Sequence, residues 1–235
     1  MVRFLFTDRH GGVSATPFAS LNLGGGVGDD PAAVADNRAS VARRVGVPSA
    51  RLVFMNQGHS ATVEIVRGDD RPEDVVDGMV TTEPGLALAV LVADCVPILA
   101  HDPDAGVIAA AHAGRRGAAA GIAARMVDVM EANGASRDRI QVVLGPAVCG
   151  SCYEVPADMR ADVERDLPGS ATETSWGTPA LDIRAGIRHQ LVDSGVQRLE
   201  TDSRCTMEDP GLFSHRRDGR SGRFAGVIWM PSATD

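Results

Sequence analysis

Leu86-Ala87-Leu88-Ala89-Val90-Leu91-Val92 is an unbroken apolar run of strand length, followed at once by Ala93-Asp94-Cys95-Val96-Pro97. A strand that is apolar at both odd and even positions has to be covered on both faces. That places it inside a layered mixed structure rather than on a half-solvated sheet. Working outward, residues 80–82, 98–101 and 106–111 read as further strands, as do 2–6, 51–55 and 62–66 nearer the start. Residues 31–45 have helical spacing, with Asp30 as N-cap and Pro31 at the first helical position. Residues 116–133 read as one helix, with Ile122, Met126, Val129 and Met130 on a stripe and Gly134 as its stop. Residues 140–144 and 223–230 read as strands, and 156–167 and 183–194 as helices. No break in composition and no internal repeat divides the 235 residues, so the expectation is one domain over 1–235. Several strands follow one another without helices between them. The expected class is therefore α+β, helices mixed with successive strands, rather than a regular βαβ array.

Composition narrows the chemistry. A formal net charge of −8 argues against general attraction to nucleic acid or anionic membrane. There is no leader-like start and no apolar run of bilayer length, so a cytoplasmic address is expected. All 23 basic residues are arginine. Without lysine, Schiff-base catalysis, a Ser-Lys dyad and a phosphate-loop lysine are all excluded. Any phosphate must be held by arginine or by backbone N–H groups. Four cysteines, Cys95, Cys149, Cys152 and Cys205, are too few for a secreted disulfide framework of this length. Cys149-Gly-Ser-Cys152 has the spacing of a redox or zinc half-site, but no second such pair follows it, and the expectation is buried or idle thiols with Cys205 as a neighbour.

Three side chains stand where strands end: His59 in Asn56-Gln57-Gly58-His59-Ser60, Cys95 after the apolar run, and His112 in Ala111-His112-Ala113-Gly114-Arg115-Arg116-Gly117. Two imidazoles and a thiolate form a set that zinc accepts, with a fourth position left for water or substrate. Beside Asp94, a Cys95 thiolate is disfavoured unless a cation compensates, and a divalent metal does so. The start of the helix after Gly114, with Arg115 or Arg116, offers an anion site; a tight turn with solvated arginines is the plainer alternative. Gln57 is placed to orient a substrate. His10, His101 and His189 lie in polar surroundings and read as solvated. The loop from Leu21 to Asp30 lacks a dinucleotide fingerprint and reads as a turn, and Ser214 to Gly219 as a dense basic turn.

Taken in order, Ser20-Leu21-Asn22-Leu23, Asn37-Arg38, Asn56-Gln57-Gly58-His59, Ala93-Asp94-Cys95-Val96-Pro97 and His112-Ala113-Gly114-Arg115-Arg116-Gly117 resemble the YfiH family. Cys152-Tyr153-Glu154-Val155 and Phe213-Ser214-His215-Arg216-Arg217-Asp218 extend the likeness over nearly the whole chain. This family is often labelled polyphenol oxidase or laccase-domain and includes peptidoglycan editing factors. The sequence departs from its pattern at Gly58-His59-Ser60, at Arg115 where the family usually has Trp, and at His215 in place of a common Tyr. The resemblance implies an α/β sandwich shared with a toxin-type cysteine hydrolase superfamily. It also implies a zinc site of His59, Cys95 and His112 acting on purine nucleosides: phosphorolysis of adenosine, inosine, guanosine and methylthioadenosine, and deamination of adenosine. On this reading Gln57, Asp94, Arg116, Asn22 and Arg216 contact nucleoside and phosphate, and the oligomeric state is left unspecified.

Three other chemistries are weighed. A multicopper laccase needs far more imidazoles than the six histidines present, although copper could displace zinc in vitro and give weak oxidase activity. A Cys95–His112 hydrolase, acting for example on a cell-wall precursor, dispenses with the metal. A binding protein with structural zinc predicts a closed site completed by Cys149 or Cys205.

Overall fold

The computed structural model describes residues 1–68, 72 and 74–232. In chain order its strands and helices are β1 (Arg3–Phe6), α1 (Pro31–Val45), β2 (Leu52–Phe54), β3 (Val63–Ile65), β4 (Gly78–Thr81), β5 (Ala87–Val92), β6 (Val96–Asp102) and β7 (Val107–Ala113). There follow α2 (Arg115–Ala119), α3 (Ile122–Ala132), β8 (Gln141–Leu144), α4 (Ala157–Asp166), β9 (Ala171–Glu173), β10 (Pro179–Leu181), α5 (Ile183–Asp193), β11 (Arg198–Thr201), α6 (His215–Asp218) and β12 (Phe224–Trp229).

Two mixed sheets stack. One has the order β1-β12-β5-β2, the other β11-β8-β6-β7-β4-β3, and β9 and β10 form a separate hairpin. The double-faced apolar run decides this layering. Leu88, Val90 and Val92 of β5 point between the sheets, against Leu99, Ile108 and Ala110 of β6 and β7. Ala87 and Ala89, one residue out of phase, face Val41, Ala42 and Val45 of α1. In the second sheet, Ala109, Ala111 and Ala113 of β7 turn away from the first and meet Ile122, Met126 and Met130 of α3, together with Ile187 and Leu191 of α5. The result is helix, sheet, sheet, helices, with period-2 alternation assigning each strand residue to one of two cores. Small alanines on the helix-facing side of β5 and β7 let the helices sit close.

The α1 helix begins and ends as its sequence dictates. Asp30 accepts from Ala32 N–H at 3.0 Å, and Gly46 closes it in the left-handed region at φ 78°. The expected helix over 116–133 is instead two: α2 stops after five residues, and Gly121 at φ 87° restarts the chain as α3. Strands β9 and β11 escape the apolar pattern because they are short, exposed edges with burial too slight to leave alternation. The basic turn at 214–219 holds one helical turn, α6, capped by the Ser214 side chain accepting from Arg217 N–H.

Candidate functional site

The loops at one end of both sheets carry the three sequence-selected side chains to one point. His59 lies in the loop after β2, Cys95 in the tight connection from β5 to β6, and His112 on β7 itself, one residue from its end. One ligand atom from each lies within 4.8 Å of the others. The two imidazoles meet edge to face, with ring centres 4.7 Å apart. Among the described residues no further His, Cys, Asp or Glu joins this group, and Cys149 and Cys205 belong to a separate cluster. The structural-zinc alternative completed by either of those cysteines is therefore not what the fold builds.

The residue that organises the site is Asp77, which precedes β4 and which the sequence reading passed over. It is wholly buried. Its Oδ1 accepts from His112 Nδ1 at 2.7 Å and from His59 N–H at 3.0 Å. Its Oδ2 accepts from the N–H groups of Gly58 and Ser60 and from the Ser60 hydroxyl, at 3.1, 2.6 and 2.8 Å. Burial alone would raise its carboxyl, but the His112 bond and the Ser60 donors outweigh burial and hold it well below the carboxylate range. Burial likewise opposes charge on His112, yet Asp77 and Cys95 together push that imidazole up to about 9. When Nδ1–H donates to Asp77, the lone pair stands on Nε2, the arrangement a metal-ligating histidine requires. Partial burial, and then His112, push His59 below its ordinary value, toward the neutral form that a metal takes.

The backbone is bent to fit. His59 and Asp94 both sit at positive φ, 62° and 87°, uncommon for residues other than glycine. Gly114 is there for space: a Cβ on it would overlap His59 Nδ1 and come within 3.1 Å of Cys95 Sγ. The lack of that carbon leaves a cradle bounded by two nitrogens and a sulfur, and the donor set fits a tetrahedral ion with one position open.

The cluster opens into a cavity of about 660 Å³, lined by Gly24 to Val27, Arg38, Phe54, His215 and Arg223 as well as His59, Cys95 and His112. This is the scale of a small-molecule site. Arg38 lies over the Phe54 ring at 4.2 Å. Burial pushes both Arg38 and Arg223 below the usual guanidinium value. Neither arginine was singled out from sequence as a binding residue. Asn37-Arg38 within the family-like segments, and the absence of lysine, were the available signals.

The other predicted residues sort by what already occupies their polar atoms. Gln57 lines the cavity, but its amide is spent on Leu91, donating to the carbonyl and accepting from the N–H, each at 2.8 Å. Asn22 is wholly buried and reaches no cavity; it binds Gly24, Asp29 and Arg223 N–H, tying the glycine wall to the arginine wall. Asp94 accepts from Thr206 Oγ1 and Ser214 Oγ at 2.6 Å and from Arg216 N–H at 2.7 Å. Arg216 lies 5.0 Å over the Tyr153 ring, and both line a smaller cavity of about 160 Å³ on the far side of Cys95. Arg115 lines that cavity too, where the family usually offers Trp. Arg116 is exposed and lines neither cavity, though its charge lowers the His59 value. His101, read as solvated, is half-buried on β6, and burial pushes its imidazole down.

A family model described as multi-copper polyphenol oxidoreductase laccase matches residues 3–231. A Corynebacterium glutamicum protein named as a purine nucleoside phosphorylase is 53% identical over 235 residues, covering 98% of this chain and 95% of its own length. A Mycobacterium tuberculosis protein of the same name is 54% identical over 233 residues, with 97% and 92% covered. Among solved structures, the Bacillus licheniformis hypothetical protein YfiH superposes with a TM-score of 0.91 at 35% identity, covering 97% of this chain and 92% of that one. Geobacillus stearothermophilus YlmD gives 0.92 at 38%, with 98% and 92% covered.

Proposed function

The chain belongs to the YfiH family, whose model carries the laccase description, and we propose that it is a zinc-dependent purine nucleoside phosphorylase. Its curated relatives are named for that activity, which supports an enzyme of this kind. The single observation that carries the reading is the juxtaposition of two half-buried arginines with an open His59–Cys95–His112 cluster in one cavity. Adenosine, inosine, guanosine and methylthioadenosine are the proposed substrates, with deamination of adenosine as a second activity of the same site. The laccase label finds no support in the donors: among the described residues only two groups could hold a metal, and neither is rich enough in imidazole for a multicopper cluster. Copper in the zinc position would give at most weak oxidation.

His59, Cys95 and His112 would hold the ion, with Asp77 fixing His112 and the 58–60 loop. When bound, zinc supplies a Lewis acid with one open position, suited to polarising a substrate oxygen or activating water. Arg38 and Arg223 would hold phosphate against the ribose carbon, where positive charge develops as the base departs. Arg116 would add positive field from outside the cavity, and Phe54, with Arg38 over its ring, an apolar edge in the cavity wall. Gln57, Asn22 and Asp94 act as positioning residues, because their polar atoms are committed to the protein. Arg216 would meet substrate only from the smaller cavity.

A second reading has one specific observation in its favour. Asp77, His112 and Cys95 stand in the order of a carboxylate, an oriented base and a nucleophile. A metal-free hydrolase of amides or esters, including peptidoglycan precursors, would use that order. Metal analysis separates the two: loss of one zinc per chain on Cys95→Ser supports the phosphorylase, whereas a Cys95 thiol that carries no metal and is modified by alkylators supports the hydrolase. The decisive assay incubates zinc-loaded protein with adenosine, with and without phosphate, and follows ribose-1-phosphate, adenine and inosine. Phosphate-dependent adenine and ribose-1-phosphate are expected. Failure to convert any purine nucleoside would sink the proposal.

A further inference from the structure

A second group of metal-capable side chains lies apart from the cavity. Cys149-Gly150-Ser151-Cys152 forms a turn in which the N–H groups of Cys152 and Tyr153 both donate to Cys149 O at 3.0 Å. Cys205-Thr206-Met207-Glu208 forms another, with Glu208 and Asp209 N–H donating to Cys205 O at 3.1 and 2.8 Å. Each turn brings its first and fourth side chains to one side. The two turns are locked face to face: Ala147 pairs with Cys205 as a parallel bridge, Thr206 N–H donates to Ala147 O at 3.1 Å, and Cys149 N–H points at Cys205 Sγ at 3.4 Å.

The consequence is a compact donor set. One atom each from Cys149, Cys152, Cys205 and Glu208 lies within 4.8 Å of all the others, with Cys152 Sγ 3.7 Å from Glu208 Oε1. All four cysteines of the chain are free thiols. Tetrahedral zinc with Zn–S bonds of about 2.3 Å needs neighbouring ligand atoms about 3.8 Å apart, so only a small contraction separates this cluster from a coordination sphere. As neutral thiols the three cysteines crowd without strain, and in the thiolate form that zinc requires the ion's own charge offsets theirs and that of Glu208. Soft sulfur donors in a four-point set select zinc over magnesium or calcium.

We propose that Cys149, Cys152, Cys205 and Glu208 form a second metal centre, a closed four-ligand site for zinc, distinct from the His59–Cys95–His112 cluster. Binding displaces the thiol protons to solvent, so no redox step is involved. Four protein ligands leave no position for substrate, and the ion's role is to brace. It fastens the 149–152 turn to the 205–208 turn, whose Thr206 hydroxyl donates to Asp94 at 2.6 Å, next to Cys95. The sequence offered Cys205 beside the Cys149–Cys152 pair but not Glu208, because the second turn ends in glutamate rather than cysteine.

The test uses the full-length protein, purified anaerobically, with zinc counted by mass spectrometry and with cobalt substituted as a spectroscopic probe. Two zinc ions per chain are expected, one of them retained in Cys95→Ser. In that variant cobalt should still give intense sulfur-to-metal charge transfer, because its remaining thiolates are Cys149, Cys152 and Cys205. Adding Glu208→Gln, an exposed change that leaves the fold in place, should weaken the retained ion at least tenfold in competition with a chelator. A Cys95→Ser protein that binds neither zinc nor cobalt through sulfur overturns the proposal, as does zinc affinity unmoved by Glu208→Gln. Neither outcome depends on the phosphorylase reading, since the first cluster is disabled throughout.

Discussion

Asp77 and His112, 35 residues apart in the chain, share a 2.7 Å bond, and the same carboxylate gathers three backbone N–H groups of the 58–60 loop. One buried side chain thus sets both the tautomer of one candidate ligand and the backbone of another. Asp77→Asn keeps the size and can still engage the loop, but it no longer enforces Nδ1–H on His112. Zinc affinity should fall on the order of 10–100-fold, the usual effect of losing such a supporting carboxylate, while the protein stays folded. Chelator competition alongside circular dichroism checks both halves of that outcome. Asp77→Ala should also lower stability, because it strands buried donors at about 1–3 kcal/mol each.

Gly114→Ala puts a methyl group into the space shared by His59 Nδ1 and Cys95 Sγ. The cluster must spread to admit it, and packed surroundings resist such a shift. Expected is a loss of zinc affinity at least as large as for Asp77→Asn, with the metal-free protein also losing about 1–3 kcal/mol of stability from the overpacking. Undiminished zinc binding would show that these three residues do not share an ion.

Arg38→Ala and Arg223→Ala each remove a charge from the cavity wall. A charge-assisted hydrogen bond of about 1.5–3 kcal/mol corresponds to roughly 10–100-fold in binding. Either variant should raise KM for phosphate by that order and leave purine-base binding nearly unchanged. Steady-state kinetics at varied phosphate, paired with adenine titration, measures this. Arg116→Ala should have a smaller effect on KM, because Arg116 lines neither cavity.

Asp102, wholly buried at the end of β6, accepts from the N–H groups of Asp104, Ala105 and Ser136 and from Arg139. Burial works to raise its carboxyl, but Arg139 and the N–H donors prevail and hold it below its ordinary value. A carboxyl depressed in the folded state stabilises above its unfolded value and gives that stability up as pH falls through the folded one. Urea midpoints should therefore drop as pH falls below about 5, where an ordinary carboxylate begins to take up protons, and keep dropping until the depressed folded value is passed. Asp102→Asn should be less stable at pH 7 and show a shallower acid decline.

Much of the fold was legible where burial is two-sided or where caps are explicit. The apolar run ending at Val92 and the Asp30-Pro31 start of α1 behave as their sequences require. Legibility failed where one local choice overrides a good pattern: the stripe through 116–133 is helical on either side of Gly121, yet that glycine takes φ 87° and splits it. At the site, His59, Cys95 and His112 were readable as a set, although His59 lies in the loop between β2 and β3 rather than at a strand end. The true occupation of Gln57, Asn22 and Asp94 was not, since Leu91, Arg223, Thr206, Ser214 and Arg216, which engage them, lie on other strands and loops.

By itself the sequence determined which strands are buried on both faces, that any phosphate must be met by arginine or by backbone N–H groups, and which three residues are worth suspecting as metal ligands. Periodicity carries that information because it reports how a segment meets solvent. Only the tertiary structure decided that Asp77 anchors His112, that Arg38 and Arg223 share a cavity with the three candidate ligands, and that Cys205-Thr-Met-Glu208 completes Cys149-Gly-Ser-Cys152. These are encounters between segments tens of residues apart. Spacing along the chain does not encode them, because the stacking of two sheets brings their loops to one end.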